Sequence, residues 1–276
     1  MAEADEKPSP LSAGDLLVPI IEDAAGAVLQ SSLLSVRNVH TTRTAIRRLR
    51  AYLRTFRPLL DMRWSTGLSV ELQWYQQLFA PIRDLDVVSK WLDAAEDFAG
   101  SADTAGAIEV MKDMLKDQRN EARRIFIETR SSTRGSELLG KLDLLRHEVP
   151  LGARASNSTK VFLPLVRKAR RELQDAERIM AEDPSRPHIH EARIKAKSLR
   201  YACEALAPHL GRSFSRIGAD AESIQDRLGG ILDTIIACEW LERNASADPR
   251  TAFSAGKLWA AGQQRWDTDR LRLRNQ

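Results

Sequence analysis

The sequence is poor in cysteine, with only Cys203 and Cys238 among its 276 residues. Two cysteines cannot form the disulfide framework of a small secreted domain, so a reducing cytoplasm is the simplest expectation. No stretch approaches about 18 uninterrupted apolar residues, so we expect no membrane span. The first ten residues are acidic and polar rather than basic and then apolar, so we expect no secretory signal. Residues 1–10 are instead predicted to be a disordered tail.

The usual signatures of strands and of common catalytic sites are also missing. No alternating β-branched runs are joined by Asn-Gly or Asp-Gly turns. No Gly-x-x-x-x-Gly-Lys loop, Gly-x-Ser-x-Gly turn or His-Glu-x-x-His motif is present. His188 and His190 do not share a helix face, and no cysteine or carboxylate completes a tetrahedral set around them. We therefore expect neither a metal nor a cofactor.

Helical periodicity runs through the chain from Leu11 onward and is interrupted mainly at prolines and glycines. With 43% hydrophobic and 29% charged residues, the composition is that of a globular protein with a sizeable core. Helices of these lengths joined by short loops are typical of all-α helical bundles. The predicted helices span residues 13–31, 36–60, 68–80, 84–99, 104–131, 134–147, 158–182, 187–207, 213–227, 230–246 and 251–273.

The most informative segment is residues 37–57, which contains seven arginines, one histidine and no carboxylate. Arginines one helical turn apart repel one another, and a helix that needed only solubility would mix charges of both signs. The net charge of the chain is only +4, so the basicity is local and indicates an anion-binding site. Arg48 lies off the basic face, and we expect it to reach a carboxylate of its own bundle or, alternatively, the ligand. The basic face comprises His40, Arg43, Arg47, Arg50, Arg54 and Arg57, and the neighbouring apolar face comprises Ile46, Leu49, Leu53, Phe56 and Leu60.

The pattern of this segment recurs 150 residues later. A second match relates Asp84 to Asp233, at an offset of 149 residues. We therefore predict two related bundles, residues 11–132 and 133–274, whose basic helices could line one shared groove. The residues that repeat His40, Arg43, Arg47, Leu49 and Arg50 are His190, Arg193, Lys197, Leu199 and Arg200.

Together these segments resemble the CHAD family, the conserved histidine α-helical domain, over most of the chain from Leu11 to the 270s. The matching motifs are His40-x-x-Arg43-x-x-x-Arg47-Arg48-Leu49-Arg50, Arg83-Asp84-Leu-Asp86-Val87, His190-x-x-Arg193-x-x-x-Lys197-x-Leu199-Arg200-Tyr201 and Gln225-Asp226-x-Leu228-Gly229-x-x-x-Asp233. The resemblance implies two pseudo-symmetric four-helix bundles with a basic groove or pore between them. It also implies binding of inorganic polyphosphate without catalytic activity. The binding residues would be His40, Arg43, Arg47, Arg48, Arg50, Arg54, Arg57, His190, Arg193, Lys197, Arg200 and Tyr201.

The chain departs from the family pattern in two places. Phe79-Ala80 stands where Leu-Gly is usual, and Ser198 replaces the second basic residue of the Arg47-Arg48 pair. Ser198 therefore makes the two halves electrostatically unequal. The chain also lacks the Glu-x-Glu-x-Lys signature of the triphosphate tunnel domain that some family members carry. The resemblance thus does not imply triphosphatase activity.

Some residues keep two interpretations. His40 and His190 could each donate to a phosphate or pack between helices. Tyr201 could contact a phosphate or belong to the core. The four aspartates are expected to be structural, either as acids at helix starts or as partners of arginines. They are Asp84, Asp86, Asp226 and Asp233.

The function that we expect is non-enzymatic binding of inorganic polyphosphate, as a targeting or scaffolding protein in the cytoplasm at polyphosphate granules. The alternative is a protein that binds the nucleic-acid backbone, although the basic face interleaves threonine and alanine rather than aromatic residues for base stacking. A third hypothesis, an enzyme that cleaves or transfers phosphate, would need a carboxylate cluster that holds a metal. Neither basic segment contains such a cluster.

Overall fold

The computed structural model describes residues 11–33, 39–96, 102–244 and 248–274, and the predicted tail over residues 1–10 lies outside these ranges. Within them the chain is all-α, as predicted, and two isolated bridges are the only β-type pairings. The described helices are α1 (Ala13–Leu33), α2 (Val39–Thr55), α3 (Met62–Leu78), α4 (Ala80–Glu96), α5 (Ala102–Arg130), α6 (Thr133–Leu144), α7 (Phe162–Glu182), α8 (Arg186–Leu210), α9 (Arg212–Arg243) and α10 (Pro249–Arg274).

Two predicted helix boundaries at the start of the chain are wrong. The helix α2 ends at Thr55, and a short 3₁₀ turn, Arg57–Leu59, follows it around Pro58, which cannot donate a backbone hydrogen bond. The helix α3 begins at Met62 rather than near residue 68, because the Asp61 side chain accepts a hydrogen bond of 2.7 Å from the backbone N–H of Trp64. Gly67, which we expected in a loop, lies inside α3.

The expected break at Gly229-Gly230 is also absent. Residues 212–243 form the single helix α9, which covers both of the predicted helices 213–227 and 230–246 up to Arg243. A glycine inside a helix costs about 0.5–1 kcal/mol relative to alanine. Here α9 packs along α8, and the buried residues that α9 contributes to this packing offset that cost.

The apolar face predicted for α2 is confirmed as part of the core. Ile46, Leu49, Leu53 and Phe56 are all nearly inaccessible to solvent. The Phe56 ring packs edge-on against Phe162 of α7, with 5.5 Å between ring centroids. The core therefore joins the two predicted halves directly.

The packing of α2 directly against α8 brings the two basic helices together. The largest hydrophobic cluster includes residues of α1, α2, α3, α6, α7, α8 and α9, so it crosses the expected boundary at residues 132 and 133. One smaller cluster connects α4, α5, α9 and α10, and another connects α7, α8, α9 and α10. The division into two pseudo-symmetric halves stays a prediction. None of the helices in the described ranges is long and apolar enough to cross a lipid bilayer.

Candidate functional site: a cationic cleft between two basic helices

Two adjoining cavities follow the contact between α2 and α8. The smaller, of about 370 Å³, extends towards α3, and the larger, of about 930 Å³, extends towards α4, α5 and α9. We call the two together the cleft. Both cavities are bounded by the same five cationic side chains, which we call the shared wall. The shared wall consists of Arg43 and Arg47 from α2, Arg83 from α4, and Arg193 and Lys197 from α8.

Most of the shared wall has no acidic partner. Arg43 is 3.5 Å from the backbone oxygen of Phe79, and Arg47 donates to the Thr44 hydroxyl at 2.9 Å. Arg193 donates to the backbone oxygen of Gln225 at 3.3 Å. Within the part of the chain that the structure describes, no carboxylate lies within ion-pair distance of these three arginines or of Lys197. The buried Nε atoms of Arg43 and Arg47 have no hydrogen-bond partner among the described residues. The site is therefore short of negative charge.

Arg83 differs from the rest of the shared wall because it is neutralised. It donates to Asp84 at 3.0 Å and to Asp233 at 2.5 Å. The expectation that these aspartates are partners of an arginine is confirmed. The alternative that they sit at helix starts is wrong, because Asp233 lies in the middle of α9 and Asp84 lies beyond the first turn of α4.

The remaining two aspartates also have partners within the fold. Asp86 forms an ion pair of 3.0 Å with Arg119 of α5, and Asp226 accepts a hydrogen bond of 3.0 Å from Gln225. The described residues contain no group of three or more His, Cys, Asp or Glu side chains placed to hold a metal ion.

The excess positive charge perturbs the titration of the shared wall. Burial and the neighbouring guanidinium groups of Arg193, Arg47, Arg83 and Arg43 lower the pKa of Lys197 to about 6. Burial lowers the pKa of Arg43 to about 9, and Arg47 adds to the effect. Burial and neighbouring cations thus destabilise the charged forms of Arg43 and Lys197, and a bound anion would reduce that penalty.

Two further arginines of the predicted basic face line the smaller cavity. Arg50 donates to Gln76 at 3.0 Å and to Gln73 at 3.1 Å, both on α3. Arg54 donates to the Ser198 hydroxyl at 3.1 Å. Neutral amide and hydroxyl oxygens thus orient these guanidinium groups without cancelling their charge. Ser198, where the family pattern has a basic residue, positions a basic side chain of the other half.

Arg57 lies apart from this group because α2 ends before it. It is exposed, donates to the Thr66 hydroxyl at 3.3 Å, and lines neither cavity of the cleft. It lines a smaller neighbouring cavity together with Arg54, so its assignment to the binding site stays a prediction.

The predicted site residues Arg48, Arg200 and Tyr201 form a separate, neutralised group at the edge of the larger cavity. Glu204 accepts from Arg48 at 3.2 Å and from Arg200 at 2.6 Å, and Glu222 also accepts from Arg200, at 2.9 Å. Arg48 was expected to pair with a carboxylate of its own bundle, but its partner is on α8. Tyr201 is only 4% exposed, and both guanidinium groups lie over its ring, 5.5 and 5.8 Å from the centroid.

The two predicted histidines open onto different cavities. His40 lines the larger cavity and His190 lines the smaller, and both residues are exposed. Partial burial lowers the pKa of each, with Arg47 as the next cause at His40 and Lys197 at His190. Exposure favours their interpretation as donors to a ligand over that of histidines packed between helices.

The cleft also includes residues that the sequence reasoning did not assign to the site. Gln73 and Gln76 carry no charge pattern that could have identified them. Arg83 could have been found, because it belongs to a motif that we had already matched. The other basic residues that line the cleft are Arg186 in the smaller cavity and Lys90, Arg119 and Arg265 in the larger.

Gly229 explains how α9 can approach the shared wall. A Cβ atom at this position would lie 2.9 Å from Nη2 of Arg193 and 3.3 Å from its Nε. The glycine therefore leaves room for the Arg193 guanidinium group at the α8–α9 contact. This is a steric reason for the glycine at this position of the motif.

The comparisons with known proteins agree with this architecture. A model of the CHAD domain matches residues 23–242. PptA from Streptomyces chartreusis aligns with a TM-score of 0.79 and 24% identity, covering 97% of this chain and 99% of its own. A CHAD domain from the plant Ricinus communis aligns with a TM-score of 0.72 and 19% identity, covering 99% of this chain and 95% of its own. No curated protein sequence matches this chain significantly.

Proposed function

This chain belongs to the CHAD domain family, and from that membership and the geometry of the cleft we propose that it binds inorganic polyphosphate there. The observation that carries the proposal is that, among the described residues, no carboxylate lies within ion-pair distance of Arg43, Arg47, Arg193 or Lys197. Polyphosphate is a linear chain that carries a negative charge on each unit and offers only oxygen acceptors. It would supply the counter-charge that the described fold lacks at these four side chains.

Arginine suits such a ligand because its planar guanidinium group can donate two parallel hydrogen bonds to phosphate oxygens. A hydrogen bond that involves a charged group contributes roughly 1.5–3 kcal/mol. Four such contacts would supply roughly 6–12 kcal/mol before ordering costs, and a micromolar complex needs about 8 kcal/mol. The cleft therefore has enough donors for micromolar or tighter binding.

The test is a titration with long-chain polyphosphate and, separately, with a sulfate polymer of equal charge, each over a range of salt concentrations. We expect tighter binding of polyphosphate at every salt concentration. Equal binding of the two polymers would show only nonspecific attraction to a basic surface and would refute the proposal.

Charge reversal locates the site. We expect Arg47→Glu combined with Arg50→Glu to abolish most of the affinity without unfolding the protein, because both side chains line the cleft. Arg170→Glu combined with Arg178→Glu is the matched control, since both are exposed residues of α7 that line neither cavity and the net charge changes by the same amount. Normal binding by the double variant would show that the ligand sits elsewhere.

We propose that the protein binds polyphosphate without processing it, and acts as a targeting or scaffolding protein at polyphosphate granules in the cytoplasm. Incubation with polyphosphate, with and without magnesium, should release no orthophosphate above the buffer control. Release that depends on the protein and is lost in the Arg47→Glu, Arg50→Glu variant would instead indicate an enzyme.

The second candidate is binding of the nucleic-acid backbone, and one observation favours it. Trp91, which is partly buried, lines the larger cavity and could stack on a base. A competition assay with duplex DNA, single-stranded RNA and polyphosphate separates the two candidates. We expect polyphosphate to displace both nucleic acids, and the reverse order of affinity would favour the second candidate.

A further inference from the structure

A third cavity, of about 220 Å³, lies between the C-terminal end of α2, the first half of α7 and α8. We call it the side pocket. Four basic residues line it, Arg54, Arg57, Lys168 and Lys195, together with a single acid, Glu172. Of these, Lys168 and Lys195 belong to neither cavity of the cleft and to none of the motifs in the sequence.

The side pocket adjoins the cleft at Arg54 and Ser198, which line both the pocket and the smaller cavity. The Ser198 hydroxyl accepts from Arg54 at 3.1 Å and donates to the backbone oxygen of Ile194 at 2.9 Å. These two hydrogen bonds hold the guanidinium group at the border between the two spaces. The basic lining of the cleft therefore continues into the side pocket without interruption.

The charges in the side pocket are only partly compensated. The Lys195 amine lies 3.1 Å from Glu172 and 3.6 Å from Glu191, so it is neutralised. Lys168 is 4.0 Å from the same Glu172, and its side chain is 67% exposed, so this contact contributes little. Among the described residues no carboxylate lies within ion-pair distance of Arg54 or Arg57. The one acid that lines the side pocket, Glu172, is thus engaged by Lys195 and leaves Arg54, Arg57 and Lys168 without a close counter-charge among the described residues.

We propose that a polyphosphate chain too long for the cleft leaves it beside Arg54 and continues into the side pocket, where Lys168 and Arg57 bind its additional units. This inference rests on the proposed function. A short chain satisfies the shared wall and ends inside the cleft, whereas a long chain gains the contacts of the side pocket. The side pocket is therefore a subsite for long chains.

The matched pair of variants is Lys168→Glu and Arg167→Glu. The two residues are neighbours on α7, and both are exposed and basic, but only Lys168 lines the side pocket. The two reversals change the net charge by the same amount, and they do so at adjacent positions of α7. A difference in polyphosphate affinity between the two variants therefore reflects contacts in the side pocket rather than long-range electrostatic attraction by the whole protein.

The experiment measures the dissociation constants of size-fractionated short and long polyphosphate for wild type and both variants. We expect Lys168→Glu to weaken binding of the long chain by about 3- to 10-fold and to leave the short chain unchanged. The salt dependence for the long chain should become shallower by about 0.7 in the logarithmic slope, as expected for one lost contact on a single-stranded polyanion. Lys168→Gln, which removes the charge without adding repulsion, should show a smaller loss in the same direction.

Long-chain affinity that is equal in wild type and Lys168→Glu would overturn the inference. So would equal losses for Lys168→Glu and Arg167→Glu, or equal losses for short and long chains. Failure of the wild-type protein to bind either chain would refute the proposed function and the inference with it. Wild-type binding of both chains without any effect of Lys168→Glu would leave the proposed function standing and remove only the subsite. Circular dichroism and thermal unfolding establish that the exposed substitutions preserve the fold.

Discussion

Lys197 should make polyphosphate binding depend on pH, with uptake of a proton. Lys197 is partly buried among Arg43 and Arg47 of α2, Arg83 of α4 and Arg193 of α8, and desolvation, followed by these positive charges, lowers its pKa to about 6. Asp233 of α9, which lines the larger cavity together with Lys197, is engaged by Arg83. The free protein therefore holds this amine largely uncharged at neutral pH. A bound polyanion would raise its pKa towards the ordinary value of 10.5.

The size of the effect follows from linkage. At about pH 7.5 the amine would carry roughly 0.03 proton in the free protein and nearly one in the complex, so binding takes up about one proton. Affinity should fall about 20-fold between about pH 6.5 and about pH 8, and the contribution disappears below about pH 6, where Lys197 is charged in both states. His40 and His190, whose pKa values are lowered from 6.5, take up protons only at the acidic end of this range.

The assay is isothermal titration calorimetry in two buffers of different ionisation enthalpy, with wild type and Lys197→Met. The wild-type difference between buffers should correspond to uptake of about one proton, and the variant should show nearly none above about pH 7. Lys197→Met should also stabilise the free protein by a few kcal/mol at neutral pH. The pKa of Lys197 is lower in the folded protein than in the unfolded chain, so burial of the amine lowers the free energy of unfolding at neutral and acidic pH. This loss of stability shrinks as pH rises towards the pKa of the unfolded chain. Equal heats in both buffers, or unchanged pH dependence in the variant, would refute this reasoning.

Three other substitutions have defined outcomes. Glu204→Gln should release Arg48 at the edge of the larger cavity, while Glu222 still holds Arg200, so we expect a roughly 2- to 5-fold gain in affinity for polyphosphate and a salt slope steeper by about 0.7; weaker binding in fluorescence titrations would contradict this. Gly229→Ala should displace the guanidinium group of Arg193 and weaken binding by about tenfold at nearly unchanged thermal stability, and unaltered affinity would show that this close approach is unimportant. Phe56→Ala should lower the free energy of unfolding by about 3–5 kcal/mol in urea denaturation, because it removes the ring that packs on Phe162; a loss below about 1 kcal/mol would contradict the packing described.

The features of α2 that could be predicted from the sequence are those set by local periodicity. The angular separation of Arg43 and Arg47 from Leu49 and Phe56 follows from the helical repeat alone. The structure places the first pair in the cleft and the second pair in the core. Arg57 lines neither cavity of the cleft, and because α2 ends at Thr55, the helical repeat does not fix its position.

Features that depend on distant residues could not be predicted in the same way. The ion pair between Arg83 and Asp233 joins residues 150 positions apart, and the Arg48–Glu204 pair joins residues 156 positions apart. Neither ion pair can be derived from helical periodicity, although the repeat led us to expect that the two basic helices line one groove. Gly229 illustrates a related difficulty, because a glycine that usually ends a helix here lies inside one, where it leaves space for the guanidinium group of Arg193.

The most direct test of the central claim is a crystal structure of the protein with a polyphosphate chain. We predict that a single chain lies in the cleft, with phosphate oxygens within hydrogen-bond distance of Arg47 on α2 and of Arg193 and Lys197 on α8 at the same time. A chain bound along only one of these helices, or bound outside the cleft, would contradict the account.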